Sequence, residues 1–133
     1  METSHTPLVF QDPLQNTENL VYWERAQERV LLLKHCRDCN TPHHYPRPYC
    51  PHCGSDLTEW RTASGAGEVY AFTRMVRGVE VPYMMAYVTL EEGVTMLTHL
   101  QADDWDAVHI GMRVRVAFAP SASGQNVPVF VPA

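Results

Sequence analysis

The chain carries two cysteine pairs, C-R-D-C at positions 36–39 and C-P-H-C at positions 50–53, and their spacing decides how the fold is interpreted. Four thiolates at this spacing can form a tetrahedral shell around one zinc ion. Asn40 and Gly54 follow the two pairs, and both residue types tolerate the positive φ of a tight turn. The pattern therefore predicts a metal site whose ligands are Cys36, Cys39, Cys50 and Cys53.

In this predicted site the protein fills every coordination position, so the zinc is expected to be structural and any chemistry to lie elsewhere. Disulfides are disfavoured because residues 1–20 show no basic segment followed by an apolar run, which also predicts a cytoplasmic location. A redox-active pair is expected beside a βαβ pattern, which the sequence lacks. Iron stays an alternative because four thiolates bind either metal.

Composition restricts the class of protein. A chain of 133 residues, 45% of them hydrophobic, suits one ordinary domain or two small ones. Its longest apolar runs fall short of the roughly 20 residues that span a bilayer, so no membrane association is predicted. The formal charge is −5, and a zinc ion with four thiolates adds a local charge of about −2. Nucleic-acid binding is not expected from a chain this acidic.

The first 29 residues are predicted to hold a tail and one helix. Residues 1–15 have no clear period and are predicted to be poorly ordered on their own. Asn16 or Thr17 can cap a helix that ends at residues 27–29. Trp23 lies on its apolar face and is expected to pack on the following segment or to dock on a partner, whereas Tyr22 lies off that face and is expected to meet a partner.

The remaining sequence predicts a mostly β protein. Strands at 30–34 and 57–61 flank the cysteines, and the prolines of 42–49 favour an extended connection. After a small-residue linker at 62–67, strands are predicted at 68–76, 83–90, 94–101, 112–119 and 127–131, with a short helical piece at 103–109 capped by Asp103. Five strands with this insertion predict a barrel of the OB type. The predicted division is 1–29 tail and helix, 30–61 zinc ribbon, and 62–133 OB-fold domain.

Several segments together resemble one known family: small proteins with a rubredoxin-like zinc ribbon and an acyl-CoA-associated OB-fold domain, formerly a domain of unknown function. The segments are Y-W at 22–23, L-L-L at 31–33, Y-P-R-P at 45–48, C-P-H-C-G at 50–54, S-G-A-G-E-V-Y-A-F-T at 64–73, P-Y at 82–83, A-Y-V-T-L at 86–90, E-G at 92–93, G-M-R-V at 111–114 and P-V-F-V-P at 128–132. The resemblance runs from about Leu20 to the end of the chain. Val131 stands where the family often has a basic residue.

The resemblance implies a non-catalytic accessory subunit of a thiolase-superfamily acyl-CoA enzyme, such as a thiolase, acyltransferase or retro-aldolase. The expected assembly is a hetero-oligomer in which this chain supplies docking surface, with a CoA ester shared with the partner. Arg74 and Arg77 are the candidate contacts to a CoA phosphate or a partner carboxylate, against the alternative that they form an exposed strand end. No catalytic residue is predicted.

Two other functions remain open at this point. A nucleic-acid-binding module is the first, since OB barrels bind oligonucleotides, although the acidic balance opposes it. A small iron electron carrier is the second, and it would be red when purified. The histidines near the cysteines, His35, His43, His44 and His52, are expected to be solvated or hydrogen-bonded rather than catalytic, because the thiolates already satisfy the metal.

Substituting Cys50→Ser is expected to weaken or release the metal and to unfold the ribbon while the barrel stays partly folded, because so short a ribbon needs its metal. Metal content and thermal unfolding of the purified variant test this. Retention of both the metal and the full thermal transition would mean that the site is wrongly assigned.

Overall fold

A computed structural model describes residues 8–133, which form one helix and two antiparallel sheets. The helix is α1 (Leu20–Gln27). The first sheet has the order β2-β1-β3 and comprises β1 (Leu32–Cys36), β2 (Thr41–His43) and β3 (Thr58–Thr62). The second has the order β6-β5-β4-β7-β8 and comprises β4 (Ala66–Met75), β5 (Tyr83–Leu90), β6 (Thr95–His99), β7 (Arg113–Pro120) and β8 (Asn126–Pro132). The prediction of a helix, a ribbon and a five-stranded OB sheet is confirmed.

The five-stranded sheet curls into a half-barrel. Its edge strands β6 and β8 approach each other at one parallel bridge, between Leu100 and Phe130, where the Gln101 N–H donates to the Phe130 carbonyl at 2.8 Å. A bulge between Val69 and Ala71 bends β4, so that its first part pairs with β7 and its whole length with β5. At Gly67 a Cβ would lie 2.6 Å from the Thr89 carbonyl oxygen, so only glycine permits this close strand approach.

One hydrophobic core joins the helix, the ribbon and the half-barrel. It contains Tyr22, Trp23 and Ala26 of the helix, Leu31 to Leu33 at β1, and the inward side chains of the half-barrel, among them Val69, Met84, Val88, Val114 and Phe130. Helix α1 packs on β1 at one side and on β8 at the other. The helix therefore lies between the two sheets and contributes to a core that neither sheet completes alone.

The aromatic pair of the helix lies inside this core. Trp23 packs against the ribbon, which is the first of the two positions predicted for it, and 7% of its surface is exposed. The prediction that Tyr22 meets a partner is wrong, because its side chain is only 2% exposed. The Tyr22 ring lies edge-on to Trp23 and to Tyr45 of the ribbon. The aromatic contact with Tyr45 stabilises the buried position of Tyr22.

The segment before the helix is anchored to the half-barrel, which the sequence did not predict for residues 8–15. Phe10 is buried and its carbonyl accepts from the Ala122 N–H at 3.0 Å. The Asp12 carboxylate accepts from the Ser121 hydroxyl at 2.6 Å and from the Ser123 N–H at 3.0 Å, and these bonds lower the pKa of Asp12. The first seven residues of the predicted tail lie outside the described residues.

One local prediction needs correction. The helical piece after β6 is a single 3₁₀ turn, Trp105–Ala107, and its cap is Asp104, whose side chain accepts from the Asp106 N–H, rather than Asp103. The proline-rich connection, predicted to be extended, begins with the short strand β2, which pairs with β1. Within residues 8–133, no helix has both the length and the apolar character needed to cross a membrane.

Candidate metal centre

The first cysteine pair lies where β1 ends. Strand β1 delivers Cys36 into the core, and the chain then turns so that the Arg37 N–H donates to the Leu57 carbonyl at 2.8 Å. Asn40 closes the turn with a φ of 55°, as its position after the pair predicted. Its side-chain oxygen lies 2.9 Å from Nε2 of His35, which fixes this histidine beside the turn.

The second pair forms a similar turn. The Gly54 N–H donates to the Cys50 carbonyl at 2.8 Å, and the Cys50 N–H donates to the Ser55 carbonyl at 2.8 Å. Gly54 has a φ of 80°, and open space surrounds its Cα where a Cβ would project, so the backbone conformation and not crowding favours glycine. The His52 N–H points at the Cys50 sulfur from 3.3 Å, a hydrogen bond that stabilises a thiolate.

The four sulfurs fit a tetrahedral metal ion. All of them lie within 4.8 Å of one another, and the Cys36–Cys53 and Cys39–Cys50 sulfur distances are both 3.7 Å. A Zn–S bond of about 2.3 Å gives a tetrahedron with edges of roughly 3.8 Å. The cysteines are not bridged by disulfides. The donor set therefore matches zinc, which would crosslink the two turns and leave no coordination position for substrate.

Electrostatics show why this cluster needs a cation. A hydrogen bond from the Cys39 N–H, the largest effect, lowers the pKa of Cys36 to about 7. At Cys53 the Ser55 N–H acts in the same direction, but desolvation and the neighbouring sulfurs outweigh it and raise the pKa to about 12. Four thiolates cannot coexist at this distance without a positive charge among them, and a divalent metal supplies it.

The other histidines around the ribbon have structural positions. Nε2 of His44 lies 2.9 Å from the Tyr22 hydroxyl. His43, on β2, is buried, and neither of its ring nitrogens has a hydrogen-bond partner within the described residues, so the expectation that it is solvated or hydrogen-bonded is wrong. His52 is exposed at the second turn. The cluster of possible metal ligands found in the described residues consists of the four cysteines and includes no histidine. This agrees with the prediction that the metal site uses cysteine alone.

A polar cluster at Tyr45 was missed by the sequence analysis. The Tyr45 hydroxyl accepts from Nε1 of Trp23 at 2.8 Å and from Nδ2 of Asn19 at 3.0 Å. Asn19 also donates to the Leu14 carbonyl at 3.0 Å. The Y-P-R-P segment at 45–48 was used only as evidence for the family resemblance, which predicted no hydrogen bonds for Tyr45. Two adjacent aromatics at 22–23 and a tyrosine between the cysteine turns were the available signal.

The two candidate arginines lie in the half-barrel and not in the ribbon: Arg74 is near the C-terminal end of β4 and Arg77 follows it. Arg74 donates to the Trp105 carbonyl at 2.8 Å and forms an ion pair with Asp106 at 3.3 Å. Arg77 is exposed in the connection between β4 and β5. Their role as ligand contacts stays a prediction.

Comparison with known proteins places this geometry in a family. A sequence model described as the ChsH2 rubredoxin-like zinc ribbon domain matches residues 23–59, and one described as the ChsH2 C-terminal OB-fold domain matches residues 60–119. A DUF35 domain-containing scaffold protein of Pyrococcus furiosus is 36% identical over 103 residues, which cover 71% of this chain and 74% of that protein. The chain belongs to the DUF35 family.

Two further relatives of this DUF35 protein carry enzyme names. A probable enoyl-CoA hydratase alpha subunit of Thermomonospora curvata is 36% identical over 91% of this chain, which spans only 39% of the length of that subunit. A chain of the structure titled "Ltp2-ChsH2(DUF35) aldolase" superposes with a TM-score of 0.78 and is 34% identical, covering 91% of this chain and 98% of its own length. The likeness to the latter extends over the whole of that solved chain. The division of the chain into a tail and helix at 1–29, a zinc ribbon at 30–61 and an OB-fold domain at 62–133 stays a prediction.

The half-buried His44 makes the stability depend on pH. Desolvation lowers its pKa to about 4 from the ordinary 6.5. The unfolded chain therefore binds a proton at a pH where the folded chain does not, and stability is lost as the pH falls from 6.5 to 4. The loss is at most about 3 kcal/mol. We expect the difference in free energy of unfolding between wild type and His44→Gln to shrink or reverse over this interval when measured by urea titration.

The control is His109→Gln, at an exposed histidine, measured over the same pH interval. A wild-type profile that runs parallel to that of His44→Gln between pH 6.5 and 4 would contradict the assignment.

Proposed function

We propose that this chain is a non-catalytic accessory subunit of an acyl-CoA enzyme whose catalytic partner belongs to the thiolase superfamily. The observation that carries the proposal is the match to the DUF35 chain of the Ltp2-ChsH2 aldolase, which extends over 98% of that chain at 34% identity. The enoyl-CoA hydratase alpha subunit name of a second relative also concerns an acyl-CoA substrate. The partner class rests on the family resemblance of the ribbon and OB segments.

The chemistry of the described residues supports an accessory role. The metal centre is closed by four cysteines, so it offers no site at which a substrate oxygen could bind. His99 lies between the rings of Phe10 and Tyr83, at centroid distances of 4.7 and 5.2 Å, and acts as a packing residue. His109 is exposed, with Nδ1 3.0 Å from the Ala107 carbonyl. These positions suit a protein that holds other chains rather than one that transforms a substrate.

The finer part of the proposal concerns CoA. A surface cavity of about 710 Å³ opens at one end of the half-barrel, with Tyr83, Trp105 and Arg115 in its wall. Arg74 binds the carbonyl of Trp105 and so lies beside this cavity. Arg77 has no ion pair within residues 8–133 and stays available for a phosphate or a carboxylate of the partner. We propose that a CoA ester held by the partner reaches the chain at this end.

The proposed assembly is tested by purifying the tagged chain from its native host after nuclease treatment and identifying co-purifying proteins by mass spectrometry. We expect a stoichiometric thiolase-like protein. Reconstitution should then give acyl-CoA turnover with the partner present and none with this chain alone. Recovery of single-stranded nucleic acid with a salt-dependent affinity, and no enzyme, would support the nucleic-acid module instead.

Arg77→Glu tests the contact at the cavity end. If Arg77 meets a CoA phosphate or a partner carboxylate, the reversal of charge should weaken the affinity for the partner or raise its KM for the CoA ester by about tenfold, the effect of one lost charge-assisted hydrogen bond. Arg25→Glu, on the exposed side of the helix, is the matched control. Equal behaviour of the two variants would remove Arg77 from the proposed contact.

A further inference from the structure

The connection between the two cysteine turns contains a hydroxyl group that accepts hydrogen bonds from the N-terminal part of helix α1 and its cap residue. Tyr45 lies between Cys39 and Cys50, and its hydroxyl accepts from both Trp23 and Asn19. Asn19 is 5% exposed and Trp23 7% exposed, so neither donor has ready access to water when Tyr45 moves away. The helix therefore depends on the position of one hydroxyl that belongs to the metal-binding ribbon.

The metal centre is one of the constraints on the position of that hydroxyl, beside the packing of the Tyr45 ring against Tyr22 and the burial of Pro46. The connection contributes only the three residues of β2 to the ribbon sheet, and the Pro48 carbonyl accepts one bond, from the Thr58 hydroxyl at 3.1 Å. Its two ends are the cysteine turns themselves. Because a closed four-cysteine site fixes both turns, the metal also fixes the segment between them.

The opposite end of the helix holds the edge of the half-barrel. The Asn126 N–H donates to Oε1 of Gln27 at 2.8 Å, and Nδ2 of Asn126 donates to the Gln27 carbonyl at 3.2 Å. Nε2 of Gln125 donates to the Trp23 carbonyl at 3.0 Å. These bonds lie at the turn between β7 and β8, so the helix supports the start of β8.

We propose that metal loading of the four-cysteine site controls how firmly helix α1 holds the β7–β8 turn, with Tyr45 as the connecting residue. In the loaded protein Tyr45 satisfies Trp23 and Asn19, and the helix stays seated on β8. On metal loss the connection moves and both donors lose their acceptor. The helix and residues 124–127, where β8 begins, then loosen together, although none of these residues belongs to the ribbon. The strands β4 and β5, which pair along their whole length, keep their structure.

Hydrogen–deuterium exchange of the full chain tests the proposal, in the zinc-loaded state and after zinc removal with a high-affinity chelator. In the wild type, zinc removal should speed amide exchange in α1 and at residues 124–127 by about tenfold or more, while β4 and β5 change little. Equal loss of protection in β4 and β5 would make zinc a general stabiliser and overturn the proposal. Unchanged protection of α1 would overturn it as well.

Tyr45→Phe isolates the hydroxyl, with Tyr49→Phe as the control, because Tyr49 lies in the same connection and is 63% exposed. Tyr45→Phe should bind zinc within about threefold of wild type, since Tyr45 is not a ligand. Its α1 and 124–127 amides should already exchange fast with zinc bound and respond little to zinc removal. Tyr49→Phe should behave as wild type. A zinc response of Tyr45→Phe equal to that of wild type would exclude Tyr45 as the connection.

Discussion

The mutual repulsion of four cysteine sulfurs, gathered within 4.8 Å, is the constraint on which the rest of the structure depends. Backbone N–H groups stabilise part of this charge, yet the raised pKa of Cys53 shows that they do not suffice. A cation at the centre converts the repulsion into a crosslink between two turns. A three-stranded sheet of five, three and five residues gains through that crosslink what a larger core would otherwise supply.

The helix extends this local crosslink to the rest of the molecule. Its aromatic pair fills the space between the ribbon and the half-barrel. At its start Asn19 donates to the Tyr45 hydroxyl of the ribbon, and at its end Gln27 accepts from the Asn126 N–H of β8. A helix of eight residues is marginal in isolation. Its stability therefore comes from tertiary contacts at both ends, which makes it a sensitive reporter of either neighbour. A helix, ribbon and half-barrel that share one core suit a scaffold protein, because one surface can keep its shape while another surface binds a partner.

Much of the fold could be predicted because its determinants are local. The cysteine spacing and the positive-φ residues after each pair identified the metal site, and the strand predicted at 83–90 has the bounds of β5. The missed features depend on contacts distant in sequence. Tyr22 is buried because Tyr45 and His44 lie opposite it, and Asp12 is anchored by serines more than 100 residues away. Helical periodicity carries no information about such partners.

The bulge in β4 shifts the inward–outward alternation of that strand by one residue. Before it, Val69 faces the core and Glu68 the solvent; after it, Phe72 packs toward the core and Thr73 is exposed, so the inward positions change from odd to even numbers. Tyr70 is the extra residue that makes this change of phase. Deleting it would leave the composition of the strand almost unaltered and would keep Phe72 inward, yet it would remove the bulge and the bend that the bulge produces. The curvature of the half-barrel is thus encoded by the count of residues in one strand and not by their hydrophobicity.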